Sequence, residues 1–469
     1  MDLLTILSDL IWGLPTVILI LGVGLAYTAA LKLPQIGRIK QMLLSCKDDS
    51  PAISCEKPLS PIQSLSTSLA ATVGTGSVIG VATALTLGGA GAVFWMWVSA
   101  FFGMAVAYAE GVLSIKYRRT LPDGSRTGGI WYALRDGLGA HKTACAYAVF
   151  CVLASFGMGS MAQTNSAATA LLEEFSLPPA ICGGAVALLL GLCLFKSQKF
   201  CGRLCQMLVP PLAGLYVIGA LAIIIANFGE LPSAFKMIFS SAFGFKPIAG
   251  GAIGYTVKTA MSVGCRRGVF SNEAGLGTTA PVHAASSVDD PNRQGLMNML
   301  EVMIDTFVIC TLTALAILCS GAYPSGADGA ELIIKSAENV FGGLSGKLVS
   351  LSIAGFSLAT AVGWSQIGLA AAKYLLPKQR TAYKMMFILS AFLGTVMSLE
   401  AVWKLSDIFN GLMVIPCMTA LILLFGEVIN EAKFSAKMGA QAVFCEAKPR
   451  TEVREVAPSD ANESTGGAN

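Results

Sequence analysis

The chain has 469 residues, 54% of them hydrophobic and only 13% charged, with a mean hydropathy of +0.67. Soluble domains carry about 25% charged residues, and the apolar runs here are continuous rather than alternating, so a soluble globular protein and a transmembrane β-barrel are both excluded. What remains is an all-α polytopic membrane protein whose environment is the lipid bilayer; the formal charge of +4 says little by itself, and no nucleic-acid partner is expected.

A hydrocarbon core takes about 20 helical residues to cross. In chain order, spans are expected near 12–30, 62–87, 91–115, 143–171, 179–195, 206–227, 249–286 (interrupted), 294–320, 346–370, 382–402 and 406–428. The first run is of full span length and has no basic stretch before it, so it reads as a span rather than a cleavable signal. Basic residues collect in alternate connections: Lys32, Arg38, Lys40 and Lys47; Lys116, Arg118, Arg119 and Arg126; Lys196, Lys199 and Arg203; Lys373, Lys378, Arg380 and Lys384. The positive-inside rule makes these four clusters cytoplasmic, with the N-terminus outside and the C-terminus inside.

The second span carries the most informative stretch, Ala71-Thr-Val-Gly-Thr-Gly-Ser-Val-Ile79, in which Gly74 and Gly76 weaken the middle of an apolar helix. Freed backbone groups survive at that depth only where protein, water or a bound solute satisfies them. Either the glycines pack two helices closely, or the helix is broken around a binding site. The seventh span repeats the feature at Phe270-Ser-Asn-Glu-Ala-Gly-Leu-Gly277. If the first span is peripheral, the remaining ten divide into two sets of five with opposite orientation, and each set opens with a break. Paired interruptions at corresponding positions point to the central site of a transporter. The expected organisation is 1–61 as a peripheral helix and cytoplasmic loop, 62–430 as core (repeats 62–227 and 249–430), and 431–469 as a cytoplasmic tail, disordered from Glu446 onward.

Ionisable groups within spans are functional suspects. Arg266 and Arg267 precede Asn272 and Glu273, and Glu273 is expected either to pair with one of these arginines or to meet substrate. Glu301 and Asp305 lie one turn apart in the following span, facing the core or a hydrated path. Glu110, at a span's cytoplasmic end, is expected to pair with Lys116 or Arg119. Gln163, Asn165 and Ser166 interrupt an apolar helix; Gln163 either binds a solute or bridges to a neighbouring helix. Ser357 and Thr360 supply hydroxyls near Gly363 and Trp364, and a small hard cation wants oxygen ligands. His283 reads as a hydrogen-bonding interfacial residue. Residues 128–138 are expected to lie at the cytoplasmic interface, with Trp131 and Tyr132 in the headgroup region. Residues 321–345, with Asp328, Glu331 and Lys335, read as an external cap or a plain loop. The 13 cysteines, among them Cys46, Cys55, Cys201 and Cys205, read as apolar fillers on the reducing side rather than as disulfides or a zinc site. No nucleophile–base set of the kind an intramembrane enzyme needs is visible, and no cofactor is expected beyond a coupling ion.

Several of these stretches together resemble the alanine or glycine:cation symporter family: residues 70–84, Phe-Trp-Met-Trp 94–97, Glu110 to Arg118, Arg267 to Gly277, Ile304-Asp-Thr306, Gly363-Trp-Ser365 and Asn410 to Pro416. The resemblance runs from about residue 60 to 430 and is nearest in sense to a bacterial D-alanine/glycine permease. It implies a LeuT-type five-plus-five inverted-repeat fold with one extra N-terminal helix, in the inner membrane of a bacterium. It also implies uptake of small neutral amino acids by sodium symport. By analogy, Thr72, Thr75 and Gly76 from the first break and Phe270, Ser271 and Asn272 from the second would receive the amino acid's backbone groups. Gln163 and Trp364 would close the pocket. Sodium would be held by the carbonyls of Ala70 and Val73 and by Thr360. The sequence departs from the family pattern at Ser77 (commonly asparagine), Ala90 and Gln366, and at Ala359, where a serine ligand is expected. Proton coupling or a broader permease is therefore the alternative. The oligomeric state is left open, a monomer being compatible with the chain.

Overall fold

The computed structural model describes residues 3–46, 60–120, 126–244 and 257–446. Lys47, Cys55, the start of the seventh span and the tail beyond Glu446 lie outside the described residues. Among the described residues, eight helices are long and apolar enough to cross a membrane: Leu3–Ala30, Pro61–Gly88, Gly91–Lys116, His141–Phe175, Phe200–Ala226, Pro291–Cys319, Gly343–Leu375 and Leu399–Leu423. The other three expected positions are filled by the shorter apolar helix Pro179–Leu194, by the broken segment that begins at Val257, and by Arg380–Val396.

Two boundaries differ from expectation because polar caps, not hydropathy, set them. The span expected over 206–227 starts at Gln198, where the Ser197 side chain accepts from the Phe200 N–H. The turn expected after residue 402 comes at Met397–Ser398, where Ser398 caps the next helix by accepting from the Ala401 N–H. A capped turn stops a helix even inside an apolar run. A further helix, Phe425–Glu446, occupies the first part of the expected tail. The segment 321–345, expected as a cap or a plain loop, is largely helical (Gly329–Phe341), with Leu332, Ile333 and Ile334 buried.

Pro61–Ala226 and Val257–Leu423 each supply five membrane segments. Five is odd, so the two sets run in opposite senses, and their first members, both broken, lie side by side at the centre. The basic connections gather at one end of the bundle. Arg118 and Arg126 both reach Asp289, Arg293 donates to the Ser45 carbonyl at 2.8 Å, and Lys116 meets Glu427 and Glu431 at 3.2 and 3.0 Å. Polar contacts hold the first span against the core. The Trp12 indole donates to the Asp407 carbonyl and the Tyr27 hydroxyl to the Leu421 carbonyl, both at 2.7 Å. Trp131 is not in the headgroup region. It is fully buried, with its ring centroid 6.1 Å from Tyr147 and 5.9 Å from Tyr374, because the segment 128–138 folds inward beneath the core.

Candidate substrate and ion site

The first break follows from its caps. Pro61–Thr72 starts in a capping box: the Ser60 hydroxyl accepts the Gln63 N–H and the Gln63 side chain accepts the Ser60 N–H. It ends at Val73 (φ −77°, ψ 87°), and Gly74 (φ −150°, ψ −141°) carries the chain into a new helix at Thr75. The Val257–Asn272 helix ends at the second break, where Glu273, Gly275 and Gly277 all adopt positive φ (58°, 93° and 69°). Glycine takes such angles without strain; Glu273 does not, and its carboxylate is held on both sides. The Trp364 indole donates to Oε1 at 2.9 Å, and the Thr278 hydroxyl donates to Oε2.

The breaks touch. A Cβ on Gly76 would stand 3.3 Å from Ser271 Cα and 3.6 Å from the Phe270 carbonyl oxygen. The first-turn N–H groups of Thr75–Gly88 and the last-turn carbonyls of Val257–Asn272 therefore face one region, the first end partially positive and the second partially negative. A zwitterion with one carboxylate and one ammonium group matches that pair of helix ends.

The side chains around it are largely engaged with one another. The Thr75 hydroxyl donates to Gln163 Oε1 at 2.6 Å, and Gln163 Nε2 donates to the Met158 carbonyl, so Gln163 bridges two helices. Gln163 is presented by a π-helical turn, Gly157–Ala162, just before it; such turns recur at functional sites. Thr72 donates to the Ser68 carbonyl, and Asn272 donates to Thr306 Oγ1 and accepts the Ala274 N–H. Ser271 donates to Asp305 Oδ2 at 2.7 Å, and Ser77 also donates to Asp305, so one buried carboxylate ties both breaks together. Phe270 lies on Trp403 with ring centroids 4.8 Å apart. Trp364 is fully buried between the second break and Gly159, whose Cβ would come within 2.5 Å of it.

Ala70 and Val73, at the end of Pro61–Thr72, and Thr360, on Gly343–Leu375, sit on two helices packed against each other. Val73 packs with Phe356 and Ile309, and Ala70 packs in one cluster with Ala359 and Cys205. Thr360 projects at the first break, where a Cβ on Gly74 would stand 2.1 Å from its hydroxyl oxygen. The hydroxyls of Thr360 and Ser357 are both buried without a hydrogen-bond partner. Residues three apart share a helix face, so two hydroxyl oxygens without a partner among the described residues lie on one side of the Gly343–Leu375 helix.

The sodium:alanine symporter family model matches residues 1–443. The chain belongs to that family. It is 40% identical over 441 residues to the sodium/alanine symporter AgcS of Methanococcus maripaludis, an alignment spanning 92% of this chain and 96% of that one. It is also 33% identical to the probable sodium/glutamine symporter GlnT of Bacillus subtilis (91% and 89% covered) and 33% identical to the putative sodium/proton-dependent alanine carrier YrbD of the same organism (90% of each). Among solved structures, MhsT with L-phenylalanine superposes with a TM-score of 0.56 at 12% identity, covering 84% of this chain and all of that one. The Eremococcus coleocola manganese transporter superposes at 0.52 and 14% identity, covering 83% and 82%. At these identities the likeness shows the fold alone, which is the LeuT-type inverted repeat. The symporter family makes this chain a multi-pass membrane transporter for cation-coupled amino-acid symport, and not an enzyme.

Within the symporter, two pairings expected from the sequence are replaced among the described residues. Glu273 pairs with no arginine. Arg267 instead forms a bidentate pair with Asp407 at 3.0 and 3.2 Å, and lies over Trp403 at 4.7 Å. Arg266 approaches Asp9 and Asp407, each at 3.8 Å. Glu110 pairs with neither Lys116 nor Arg119; its Oε1 accepts the N–H groups of Gly275 and Gly277, each at 2.9 Å. The unwound backbone there exposes donors that no helix satisfies, and a buried carboxylate is the strongest acceptor for them. Asp407 and Trp403 were missed because they sit near a span end misplaced by its cap. An aspartate in an otherwise apolar run was the available signal.

Proposed function

We propose that this symporter imports small neutral amino acids, alanine and glycine with D-alanine among them, together with sodium by alternating access. The observation that carries the reading is the meeting of the two breaks at Gly76 and Phe270–Ser271 beside the unpartnered Thr360 hydroxyl. The amino acid's carboxylate takes the N-terminal end of Thr75–Gly88 and its ammonium the C-terminal end of Val257–Asn272. Phe270, Trp364 and the Thr75–Gln163 bridge wall the region beside the breaks, which suits a small side chain. Sodium takes Thr360, the Ala70 and Val73 carbonyls, and Ser357 in place of the hydroxyl that Ala359 lacks. The basic end of the bundle is cytoplasmic, which puts the N-terminus outside and the C-terminus inside.

A second reading, proton coupling, draws support from Ala359 and from the sodium/proton wording in the name of YrbD. Proteoliposomes loaded with alanine decide between them. Counterflow that saturates with alanine and depends on sodium, with pH varied independently, supports sodium symport. Counterflow that follows the proton gradient in the absence of sodium supports the second reading, and flux that does not saturate refutes a carrier.

A further inference from the structure

A buried cluster apart from the candidate site joins the basic-end halves of both broken helices. His283, in the short helix Ala280–Ala284, is fully buried, and its Nε2 lies 3.2 Å from both Glu301 carboxylate oxygens. Ser68 donates to Glu301 Oε2 at 2.8 Å and also lies 3.2 Å from His283 Nε2. Ser64 lies 3.4 Å from His283 Nδ1 and 3.4 Å from the Val282 carbonyl. Glu301 Oε1 has no hydrogen bond of its own in the buried cluster.

The hydroxyl hydrogens decide what this arrangement holds. Ser68 gives its hydrogen to Glu301, and Ser64 has the Val282 carbonyl within reach. With both hydrogens so placed, each imidazole nitrogen faces an oxygen lone pair and can donate. An imidazolium against a carboxylate is electrically neutral as a pair, whereas loss of its proton strands a buried carboxylate. When the proton leaves, Ser64 can turn its hydrogen from Val282 to Nδ1. The other titratable and charged groups around the pair are Glu110 from Gly91–Lys116, Glu273 at the second break, and Cys46, all of which feel the Glu301 charge. Arg118 and Arg126 donate to the Ser286 carbonyl, Arg293 opens the Glu301 helix, and Lys373 and Tyr374 end Gly343–Leu375.

We propose that His283 and Glu301 form a proton-binding site, loaded from the cytoplasmic side, whose single proton holds the inner halves of the two broken helices together. The site joins Pro61–Thr72 to Ala280–Ala284, so any parting of the two broken helices at this end would break it. Proton-poor conditions inside leave Glu301 uncompensated in the closed form and slow its re-formation. The inference rests on the transport reading and on the orientation given above.

Two measurements test it. In proteoliposomes, initial alanine uptake by the wild-type protein is expected to fall about fivefold as internal pH rises from about 6 to about 8.5, with external pH fixed. His283→Gln, checked for a monodisperse gel-filtration peak, is expected to vary less than about 1.5-fold over that range. A wild-type rate indifferent to internal pH, or a His283→Gln profile like wild type, overturns the proposal. The second measurement needs no transport. The chain has only two histidines, so nitrogen-15 spectra of histidine-labelled protein, with His141→Gln for assignment, read the His283 ring directly. Both ring nitrogens are expected to carry protons in wild type at a pH where Glu301→Gln leaves one of them bare. A ring with one bare nitrogen throughout about pH 5.5–8.5 overturns the proton site. An absence of any amino-acid uptake alongside the expected spectra would overturn the transport reading instead.

Discussion

Gly74 and Thr360 meet at the first break, where a Cβ on the glycine would stand 2.1 Å from the threonine hydroxyl oxygen. That hydroxyl is buried and has no hydrogen-bond partner among the described residues. Leaving such a group unpaired costs about 1–3 kcal/mol, so a ligand that supplies the missing interaction binds against a prepaid desolvation. The geometry of the break and the demand of the oxygen for a partner are therefore one feature.

Thr360→Val keeps the shape and removes the oxygen. The half-saturating sodium concentration is expected to rise about tenfold, equivalent to about 1.4 kcal/mol, with the ranking of amino-acid substrates unchanged. Ser357→Ala should act in the same direction, and Ala359→Ser in the opposite one. Uptake kinetics against graded sodium check this, and a reordered substrate ranking at unaltered sodium dependence would refute the assignment.

Gly76→Leu places a large side chain where even a Cβ would stand 3.3 Å from Ser271 Cα. Uptake should be abolished while membrane insertion persists, because the obstruction is confined to the break. Insertion is read from the yield of monodisperse protein and uptake from labelled alanine; normal kinetics in this variant would remove the broken-helix site.

The Arg267–Asp407 pair is buried on both sides. Removing one partner strands a charge at a cost of about 3–5 kcal/mol, whereas an apolar pair of similar volume is often neutral. Asp407→Leu alone should lower the melting temperature in detergent markedly, and Arg267→Met with Asp407→Leu should recover most of it. Equal melting temperatures for the single and double variants would show that the pair carries no such coupling.

Glu110→Gln retains an acceptor oxygen for Gly275 and Gly277 but loses its charge. Hydrogen bonds to a charged group contribute about 1.5–3 kcal/mol, against about 1 for neutral ones. A loss of about 1–3 kcal/mol in stability is expected, and Glu110→Ala should lose more. Thermal unfolding of the two variants orders them, and an unchanged midpoint in Glu110→Ala would show that the second break holds without this carboxylate.

Substrate size gives the last expectation. Phe270 is stacked on Trp403 and Trp364 is locked to Glu273, so the walls around the breaks have little freedom to retreat. Glycine and alanine should compete well for uptake, serine less well, and leucine or phenylalanine hardly at all. Trp364→Ala should admit larger apolar side chains while weakening alanine, through the cavity it leaves. Competition with a graded amino-acid series reads the order, and leucine carried as well as alanine by the wild type would refute a compact pocket.

The membrane class, the ten-plus-one division and both breaks were legible in the chain itself, because each depends on local properties. A continuous apolar run makes a span, and glycine pairs flanked by hydroxyls interrupt one. Gln163 and Thr360 stood out as candidates for a similar reason, since polar groups in an apolar run must be satisfied by something, whereas Thr75 entered through the family resemblance. The partners were not legible. Glu110 lies 165 and 167 residues from the N–H groups it accepts, and Arg267 lies 140 residues from Asp407. Charges close in sequence suggested Lys116 or Arg119 for Glu110 and Arg266 or Arg267 for Glu273, but a buried carboxylate takes whichever donors the packing strands beside it. Only the tertiary structure decides which donors those are, because burial prices an unpaired polar group by its surroundings and not by its sequence neighbours.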